Sequence, residues 1–390
     1  HAAGRGPRVG GGFDPLVDPI LELLTGAGVD PSQLGLADGV TALSTGILHT
    51  RSISGFVQGT YAFLDDFELN AGVRYDSEQR DLLDSKLEVP NPAPGSDPIL
   101  LNEFSVPEID TSRWSPRVAL QWHFADDSML YGSYAIGYLS PTYNSVNFFV
   151  EPDFVKQERN DAYELGIKSS FFSGDLQLDA ALFYTRRQDV ISAYTTVTSG
   201  VAVRFYNAGP GFSRGFEFNV RGRPLRRWNE QFAVSLAGTY LDAEYTNFPD
   251  GRGYDDDTGL GFGPGNATGE ARDFTGNRIV NSPRFSGTLT ATQGLLSRYG
   301  SHGLQLAGDV YYNSGYFFTP QNTPVAEQAA HVLFNVRLTY DYRPAGLQLA
   351  IFGENLSDEP VLSSFLAVDT GPAYQLRPPR NYGLRAKWSF

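Results

Sequence analysis

Cysteine is absent from this 390-residue chain, and only one methionine and four tryptophans are present. Without cysteine the chain can form no disulfide bond, no thiolate metal site and no thiol nucleophile. No run of 18 or more consecutive apolar residues occurs, so no transmembrane helix is predicted. Positive charge is also scarce, because the 30 Lys and Arg residues are outnumbered by 44 Asp and Glu residues. The net charge of −14 would repel nucleic acid phosphates, which excludes nucleic acid as a partner.

Groups that could support catalysis or hold a metal ion are sparse as well. The five histidines show no metal-ligand spacing, and no Ser/His/Asp arrangement stands out. Three adjacent carboxylates at 255–257 lack the spacing of an EF-hand loop, which favours an acidic solvated loop over a calcium site. We therefore expect no enzyme activity, no metal site and no cofactor.

Aromatic residues and glycine are abundant, with 21 Tyr, 27 Phe and 42 Gly, a mixture that favours strands and turns. Apolar and polar residues alternate in about thirteen segments, as in Phe67–Tyr75 and the closing segment Asn381–Phe390. A period of two indicates a strand with one apolar and one polar face. The segments are near the ~9–11 residues with which a tilted strand crosses a bilayer, whereas soluble strands have a mode of about 5–6.

Short and long connections alternate between these segments. The short ones are Leu64–Asp66, Ala125–Ser128, Ser173–Asp175, Pro224–Glu230, Leu295–Gly303 and Arg343–Gly346. The long ones are Ser77–Arg113, Leu139–Asn160, Gln188–Phe212, Thr246–Pro283, Ser314–His331 and Leu356–Arg380. Short turns at one rim and long loops at the other are typical of an outer-membrane barrel, so we predict an all-β, antiparallel transmembrane β-barrel. The strand lengths and one-sided loops disfavour the alternative, a soluble all-β protein such as two sandwiches.

Residues 1–50 differ from the rest of the chain. They are rich in glycine and include a short amphipathic stretch, Pro19–Leu24. If the last strand runs from the outside to the periplasm, every long connection lies outside and residues 1–50 do too. We predict that residues 1–50 are the remnant of an extracellular loop, irregular with a short helical stretch, and that residues 51–390 form the barrel.

Several segments carry a resemblance to a known family. They are WSPRVALQWHFADDSMLYGSYAIGY from Trp114, NDAYELGIKSSFFSGDLQLDAALFYTRRQDV from Asn160, YNAGPGFSRGFEFNVRGRP from Tyr206, LDAEY from Leu241, FGENLSDEP from Phe352 and the closing RPPRNYGLRAKWSF. In this order they resemble the β-barrel domain of the TonB-dependent receptors, from Ile53 to Phe390. The resemblance implies a 22-stranded barrel, of which this chain would supply the last thirteen strands, with the plug domain and TonB box absent.

The resemblance also implies a location and partners. The location is the outer membrane of a Gram-negative bacterium, with membrane lipid around the barrel. The TonB energy-transducing complex would act through the plug and TonB box, and the barrel assembly machinery would read the C-terminal strand through Tyr382, Leu384, Trp388 and Phe390. We expect uptake of a scarce large ligand, a ferric siderophore first and haem, cobalamin or an oligosaccharide as alternatives. A passive porin and a structural or adhesin barrel are the other classes.

Candidate ligand contacts are aromatic and arginine side chains in the long connections. Aromatic rings supply contact area at low entropic cost, and arginine supplies forked donors for the carboxylates of a metal chelate. The alternative for each residue is packing of loop on loop, or the aromatic girdle at the lipid interface. The candidates are Tyr143, Phe148, Phe149, Tyr254, Phe262, Arg272, Tyr316, Phe317 and Phe318.

A second set of candidates comes from charged residues on the polar face of the alternating segments. The resemblance implies that such residues contact the plug or line a wet lumen. A generic polar lining is the alternative for each residue taken singly. The candidates are Arg74, Glu164, Lys168, Glu217, Arg337, Glu354, Arg385 and Lys387.

Overall fold

The fold is known from a computed structural model. It describes residues 25, 43–91, 95–144, 151–196, 202–255, 257, 261–263, 269–296, 300–368 and 371–389. No helix within these residues is long and apolar enough to cross a membrane.

Strands dominate the described residues. In chain order they are β1 (Leu43–Phe63), β2 (Phe67–Val89), β3 (Ile99–Phe104), β4 (Ile109–Ala125), β5 (Ser128–Leu139), β6 (Thr142–Tyr143), β7 (Phe154–Val155), β8 (Glu158–Phe171), β9 (Leu176–Gln188), β10 (Ile191–Thr196), β11 (Ala202–Asn207), β12 (Gly211–Gly222), β13 (Phe232–Tyr245), β14 (Gly253–Tyr254), β15 (Gly261–Phe262), β16 (Phe285–Leu296), β17 (His302–Asn313), β18 (Tyr316–Phe317), β19 (Glu327–Gln328), β20 (His331–Tyr342), β21 (Leu347–Glu354), β22 (Leu362–Val368), β23 (Gly371–Leu376) and β24 (Asn381–Trp388). Two 3-10 turns occupy Pro324–Ala326 and Arg343–Ala345.

Thirteen strands form one antiparallel sheet in which each strand pairs with the next long strand of the chain. Their order is β1-β2-β4-β5-β8-β9-β12-β13-β16-β17-β20-β21-β24, and β3 pairs with the far end of β2. The predicted antiparallel all-β architecture with about thirteen strands is therefore confirmed. Among the described residues β1 pairs only with β2 and β24 only with β21, so the sheet is open between its first and last strands.

The register sorts side chains onto two faces. Phe216 lies opposite Leu182 and Tyr240 on one face, while Glu217 lies opposite Thr239 on the other. Because cross-strand partners share a face, the apolar positions of neighbouring strands join into one surface, which we call the outer face. The opposite surface, which carries Glu217, is called the polar face.

Large apolar side chains on the outer face are exposed. On the closing strand, Tyr382 is 72% exposed, Leu384 81% and Trp388 71%. Exposed apolar patches on soluble monomers seldom exceed a few hundred Å², whereas this surface continues across all thirteen strands. The closing strand thus has the strict alternation that the sequence predicted, although Phe390 lies outside the described residues.

Two aromatic rows bound the outer face of the first strands. Near the short turns the rings of Phe67 and Trp122 stack with centroids 6.0 Å apart. Eight residues further along the same two strands, Tyr75 and Trp114 meet at 4.8 Å. Eight residues of strand rise about 27 Å, close to the ~25 Å height of a barrel's apolar band between its aromatic girdles.

The first strands are longer than the sequence indicated. β1 has 21 residues and β2 has 23, so most of the expected loop Ser77–Arg113 is strand. The segment SEQRDLLD after Tyr75 is polar at nearly every position, which hides the alternation although backbone pairing with β1 and β4 continues. β1 also begins at Leu43, so eight residues assigned to the irregular segment 1–50 are strand. Thr25 apart, residues 1–42 lie outside the described part of the chain.

The other five long connections contain local structure instead of extended loop. Each holds its own two-stranded antiparallel sheet: β6–β7, β10–β11, β14–β15, β18–β19 and β22–β23. These small sheets give the end of the molecule with the long connections a packed interior.

Candidate ligand-binding site

A hydrophobic core lies among the long connections, and Ala243 and Tyr245 join it from the end of β13 in the large sheet. It joins the connection after β9 to the connection after β13. The ring of Phe248, which is 1% exposed, lies 4.9 Å from Tyr245, 5.3 Å from Phe274 and 5.9 Å from Tyr206. We call this set the loop core, and its members are Val190, Tyr194, Tyr206, Ala208, Ala243, Tyr245, Phe248, Phe262, Phe274 and Ile279.

Arg252 is held between two rings of the loop core. Its guanidinium lies 5.1 Å from the ring centres of both Tyr194 and Tyr206, and its Nη1 donates a hydrogen bond of 3.1 Å to the Tyr194 hydroxyl. A desolvated cation over an aromatic face contributes about 2 kcal/mol. Sequence reasoning missed Arg252, because both rings lie on another connection and no local pattern marks the contact.

Amide side chains join neighbouring connections. Asn144 exchanges two hydrogen bonds of 2.8 Å with the backbone of Phe205. Asn277 donates to the carbonyl of Pro320 at 2.9 Å, and Gln328 accepts from the backbone N–H of Leu362 at 2.6 Å. Since each amide satisfies backbone groups of the next connection, the long connections hold one another in place.

Tyr206 makes the loop core sensitive to alkaline pH. Burial raises the pKa of its phenol above the ordinary value of about 10. The stability gained from the neutral phenol is complete below pH ~10 and is lost as pH rises toward the raised pKa. We expect the near-UV circular dichroism of the full-length protein to lose amplitude above pH ~10, and Tyr206→Phe to reduce that loss. An identical loss in wild type and variant would contradict this assignment.

The structure brings Tyr254, Phe262 and Arg272 together. The guanidinium of Arg272 stacks 4.0 Å from the ring centre of Phe262 and forms an ion pair with Asp255 at 2.5 Å. Tyr254 is 6% and Phe262 2% exposed, so both rings pack loop on loop. Only Arg272, with 46% of its side chain exposed, reaches solvent. Their role as ligand contacts stays a prediction.

The second aromatic trio packs against other connections as well. The rings of Tyr316 and Phe318 meet edge-on at 5.2 Å, and Phe318 stacks on Phe365 at 6.2 Å. The guanidinium of Arg278 lies 5.5 Å from the ring centre of Phe317. This trio therefore ties the connection after β17 to those on either side of it.

Tyr143 lies apart from both groups. It is 8% exposed and packs with Leu82, Leu87 and Ile109. These residues lie where β2 and β4 extend beyond the shorter strands of the large sheet. The ring of Tyr143 also meets Phe154 at 5.8 Å. Phe148 and Phe149 lie outside the described residues.

The cross-strand register puts all eight charged candidates on the polar face. Three of them surround one ring, because the guanidinium groups of Arg337 and Arg385 lie 5.9 and 5.8 Å from the centre of Phe352, and Glu354 follows on the same strand. A cavity of about 400 Å³ opens here. Its charged and amide side chains are Asp309, Asn335, Arg337, Glu354, Asn355, Arg377 and Asn381.

A second polar-face group forms around Tyr131. The hydroxyl of Tyr131 donates to Glu164 at 2.5 Å, and Nζ of Lys168 lies 5.7 Å from the ring centre. The ring covers Gly166, where a Cβ would come within 2.4 Å of it. Of the other candidates, Arg74 forms an ion pair with Asp76 at 2.8 Å, Glu217 lies opposite Thr239 and Lys387 lies opposite Gln348.

An ion pair with a buried carboxylate on the polar face was missed by the sequence reasoning. Glu158, 3% exposed, accepts hydrogen bonds from Nε and Nη2 of Arg187 at 3.0 and 2.7 Å and from the backbone N–H of Ile191 at 2.9 Å. The alternation of β8 and β9 could have placed both charges on one face. Their burial depends on the connection after β9, which folds over them, and that contact has no local sequence signal.

Metal ligation finds no support in the described residues, where no group of three or more His, Cys, Asp or Glu side chains could hold an ion. Asp255, from the acidic stretch at 255–257, is engaged by Arg272. The site therefore offers aromatic rings, guanidinium groups and amides, the chemistry suited to a large polar ligand with carboxylate or other oxygen acceptors.

Comparison with known proteins gives the same architecture. The family described as TonB dependent receptor-like, beta-barrel matches residues 19–356. The probable TonB-dependent siderophore receptor PiuA of Acinetobacter baumannii is 26% identical over 221 residues, which are 56% of this chain and 25% of that receptor.

Two solved receptors share the fold. The ferric yersiniabactin uptake receptor FyuA from Yersinia pestis has a TM-score of 0.67 and 18% identity over 88% of this chain and 46% of that chain. The siderophore receptor PiuA from Acinetobacter baumannii has a TM-score of 0.61 and 18% identity over 87% and 43%. The chain thus spans less than half the length of these relatives. Since the family match covers most of the thirteen-stranded sheet, the chain belongs to the TonB-dependent receptor-like β-barrel family.

Proposed function

We propose that this chain is part of the barrel of an outer-membrane receptor that imports a ferric siderophore with energy from the TonB complex. One observation carries the membrane part: the exposed apolar outer face, bounded by aromatic rows at both ends, belongs to a sheet whose other face is polar. That division suits lipid on one side and a wet lumen on the other. Residues 43–389 would form the barrel, and the segment before them the end of an extracellular loop.

The proposed cargo rests on the chemistry of the cavity and on the named relatives. Arg337 and Arg377 bring two guanidinium groups to a cavity that is also lined by three amides and two carboxylates. Guanidinium groups form strong, directed hydrogen bonds with anionic oxygen atoms such as those of a ferric chelate. PiuA is described as a siderophore receptor and FyuA as a ferric yersiniabactin uptake receptor, which makes ferric siderophores the first ligand class to test.

The proposed mechanism divides the work between the two ends of the polar face. The long connections capture the ligand, and charges lower on the polar face contact the plug domain of the whole receptor. The TonB complex then pulls on the plug and opens a path. This chain's own contribution is the rigid wall and the packed connections, in which the loop core keeps Arg272 directed toward solvent.

A growth experiment tests the cargo and the energy source together. A deletion strain is supplied with single iron sources, namely a panel of ferric siderophores and haem, with and without the full-length gene. We expect growth to be rescued on at least one ferric siderophore, and rescue to vanish when TonB is inactivated. Rescue on haem alone would overturn the cargo. Uptake that survives loss of TonB would support a passive porin instead.

The membrane placement predicts a difference between two adjacent residues. Leu289 is 45% exposed on the outer face opposite Leu236, while Thr290 is on the polar face opposite Asp309. Leu289→Arg is expected to cost about 2–4 kcal/mol of folding free energy in lipid bilayers, because a cation would face hydrocarbon. Thr290→Arg should cost far less. Urea unfolding of the full-length protein in vesicles measures both, and equal costs would argue against lipid on the outer face.

A further inference from the structure

A groove of about 640 Å³ lies on the outer face beside the short turns. Its floor is apolar and built from neighbouring strands, since Val220 lies opposite Leu236 and Leu236 lies opposite Leu289. Its rim is the turn between β12 and β13, which the sequence RPLRRWNE forms from Arg223. The groove therefore crosses from the apolar surface of the strands to a cationic turn.

The turn that forms the rim is ordered by its own hydrogen bonds. The backbone N–H of Arg226 donates to the carbonyl of Arg223 at 3.1 Å, and that of Trp228 donates to Leu225 at 2.8 Å. Trp228 is nevertheless 84% exposed, and Phe172 across the groove is 76% exposed. Two large exposed rings at the end of an apolar strand surface are typical of the level of lipid headgroups.

The rim carries excess positive charge. Asp175 pairs with Arg223 at 2.9 Å and also with Arg226, and Arg227 adds a third guanidinium to the lining of the groove. Asp175 accounts for most of the raised pKa of Arg226 and Glu230 adds to it, so two carboxylates accompany three arginines at the rim. This excess is unusual in a chain with a net charge of −14, and it lies directly above an apolar floor.

We propose that this groove binds an anionic phospholipid, with the phosphate at Arg226 and Arg227 and an acyl chain along Val220, Leu236 and Leu289. The arginines of the rim favour an anionic headgroup by charge complementarity. The apolar floor belongs to the outer face, so it favours a lipid chain over a soluble anion. The proposal rests on the membrane placement proposed above. It concerns the leaflet at the short-turn end of the barrel.

The test uses the full-length protein extracted from outer membranes in mild detergent. Native mass spectrometry counts bound lipid during titration with phosphatidylglycerol, phosphatidylethanolamine or inorganic phosphate. We expect phosphatidylglycerol to bind more tightly than phosphatidylethanolamine, and inorganic phosphate not to displace it. Arg227→Ala should weaken phosphatidylglycerol binding about fivefold, the effect of one arginine at an anionic lipid surface. Arg227→Lys, which keeps the charge, should stay within about twofold of wild type.

Arg221→Ala is the matched control. Arg221 ends the same strand, but its side chain is on the polar face, opposite Ser235 and Gln177. We expect it to leave phosphatidylglycerol binding unchanged. An equal loss in Arg221→Ala, equal binding of the two lipids, or displacement by inorganic phosphate would overturn the proposal. A protein missing from the outer membrane would instead overturn the proposed function, so the two failures are distinguishable.

Discussion

Replacing Phe248 with alanine is expected to open the loop core while leaving the large sheet intact. Phe248 is 1% exposed and its ring contacts three other rings of that core. Removing a buried phenylalanine costs about 3–5 kcal/mol, through lost burial and the cavity left behind. We expect the loop core to open without unfolding of the sheet, so the local opening equilibrium should rise by a factor of at least about 100.

Limited proteolysis of the full-length protein measures this opening. Under conditions in which cleavage is slow compared with reclosing, the cleavage rate in the connections after β9 and β13 should rise in proportion to the open fraction. Heat-modifiable migration on a gel should stay unchanged, because the sheet does not depend on Phe248. Under the proposed function, ferric siderophore binding should fall together with the loss of ordered connections.

Phe205→Ala provides the control for ring size. Phe205 precedes Tyr206 on β11, but it is 46% exposed. We expect its truncation to change the cleavage rate by less than about threefold, as is usual for an exposed side chain. If Phe248→Ala behaved like Phe205→Ala, the connections would not depend on a shared core. If Phe248→Ala abolished heat-modifiable migration, the loop core and the sheet would form one cooperative unit.

The second large effect is expected at the buried ion pair of Glu158 and Arg187. Glu158→Ala would leave the guanidinium of Arg187 beneath the connection after β9 without its carboxylate. Breaking a buried pair from one side typically costs about 3–5 kcal/mol, since the remaining charge is left uncompensated. The lower end of that range applies here, because the Arg187 side chain is 27% exposed and solvent screens part of its charge. The substitution would also remove the acceptor of the Ile191 backbone N–H, where β10 begins.

A double-mutant cycle separates the pair from its surroundings. We expect Glu158→Ala and Arg187→Ala together to cost less than the sum of the two single variants, with a coupling of about 0.5–3 kcal/mol. Denaturant unfolding of the full-length protein in detergent supplies the four free energies of unfolding. Arg186→Ala, one residue away but on the outer face, should show no coupling to Glu158. If the free-energy costs of Glu158→Ala and Arg187→Ala were additive, the ion pair would make no contribution of its own to stability.

The strands of this protein are readable from the sequence, because their signal is local. Segments such as Phe67–Tyr75 and Asn381–Trp388 alternate without interruption, and the structure has strands at both. The end of β2 was missed because residues after Tyr75 are polar on both faces once the strand leaves the apolar band. Strand pairing continues there through backbone hydrogen bonds, which the pattern of side chains does not reveal.

The site was harder to predict, because its contacts join distant segments. Arg337, Glu354 and Arg385 could be placed on the polar face by alternation alone, and the structure gathers them around Phe352. Phe262 shows the limit of the same reasoning. Its aromatic character suggested a ligand contact, whereas it is almost fully buried in the loop core. The sequence shows that an aromatic ring is present. Whether that ring faces a ligand or packs against another connection depends on segments that are distant in the chain.

The neighbour-to-neighbour order of the sheet has a consequence for the sequence of folding events. Every long strand pairs with the next long strand of the chain, so the wall can grow one hairpin at a time with little loop-closure entropy at each step. The loop core, in contrast, spans Val190 to Ile279 and needs four strands already in register before its rings can meet. Contacts of such sequence separation form slowly. We therefore expect the wall to be complete before the connections above it mature, which makes the loop core the last part of the molecule to form.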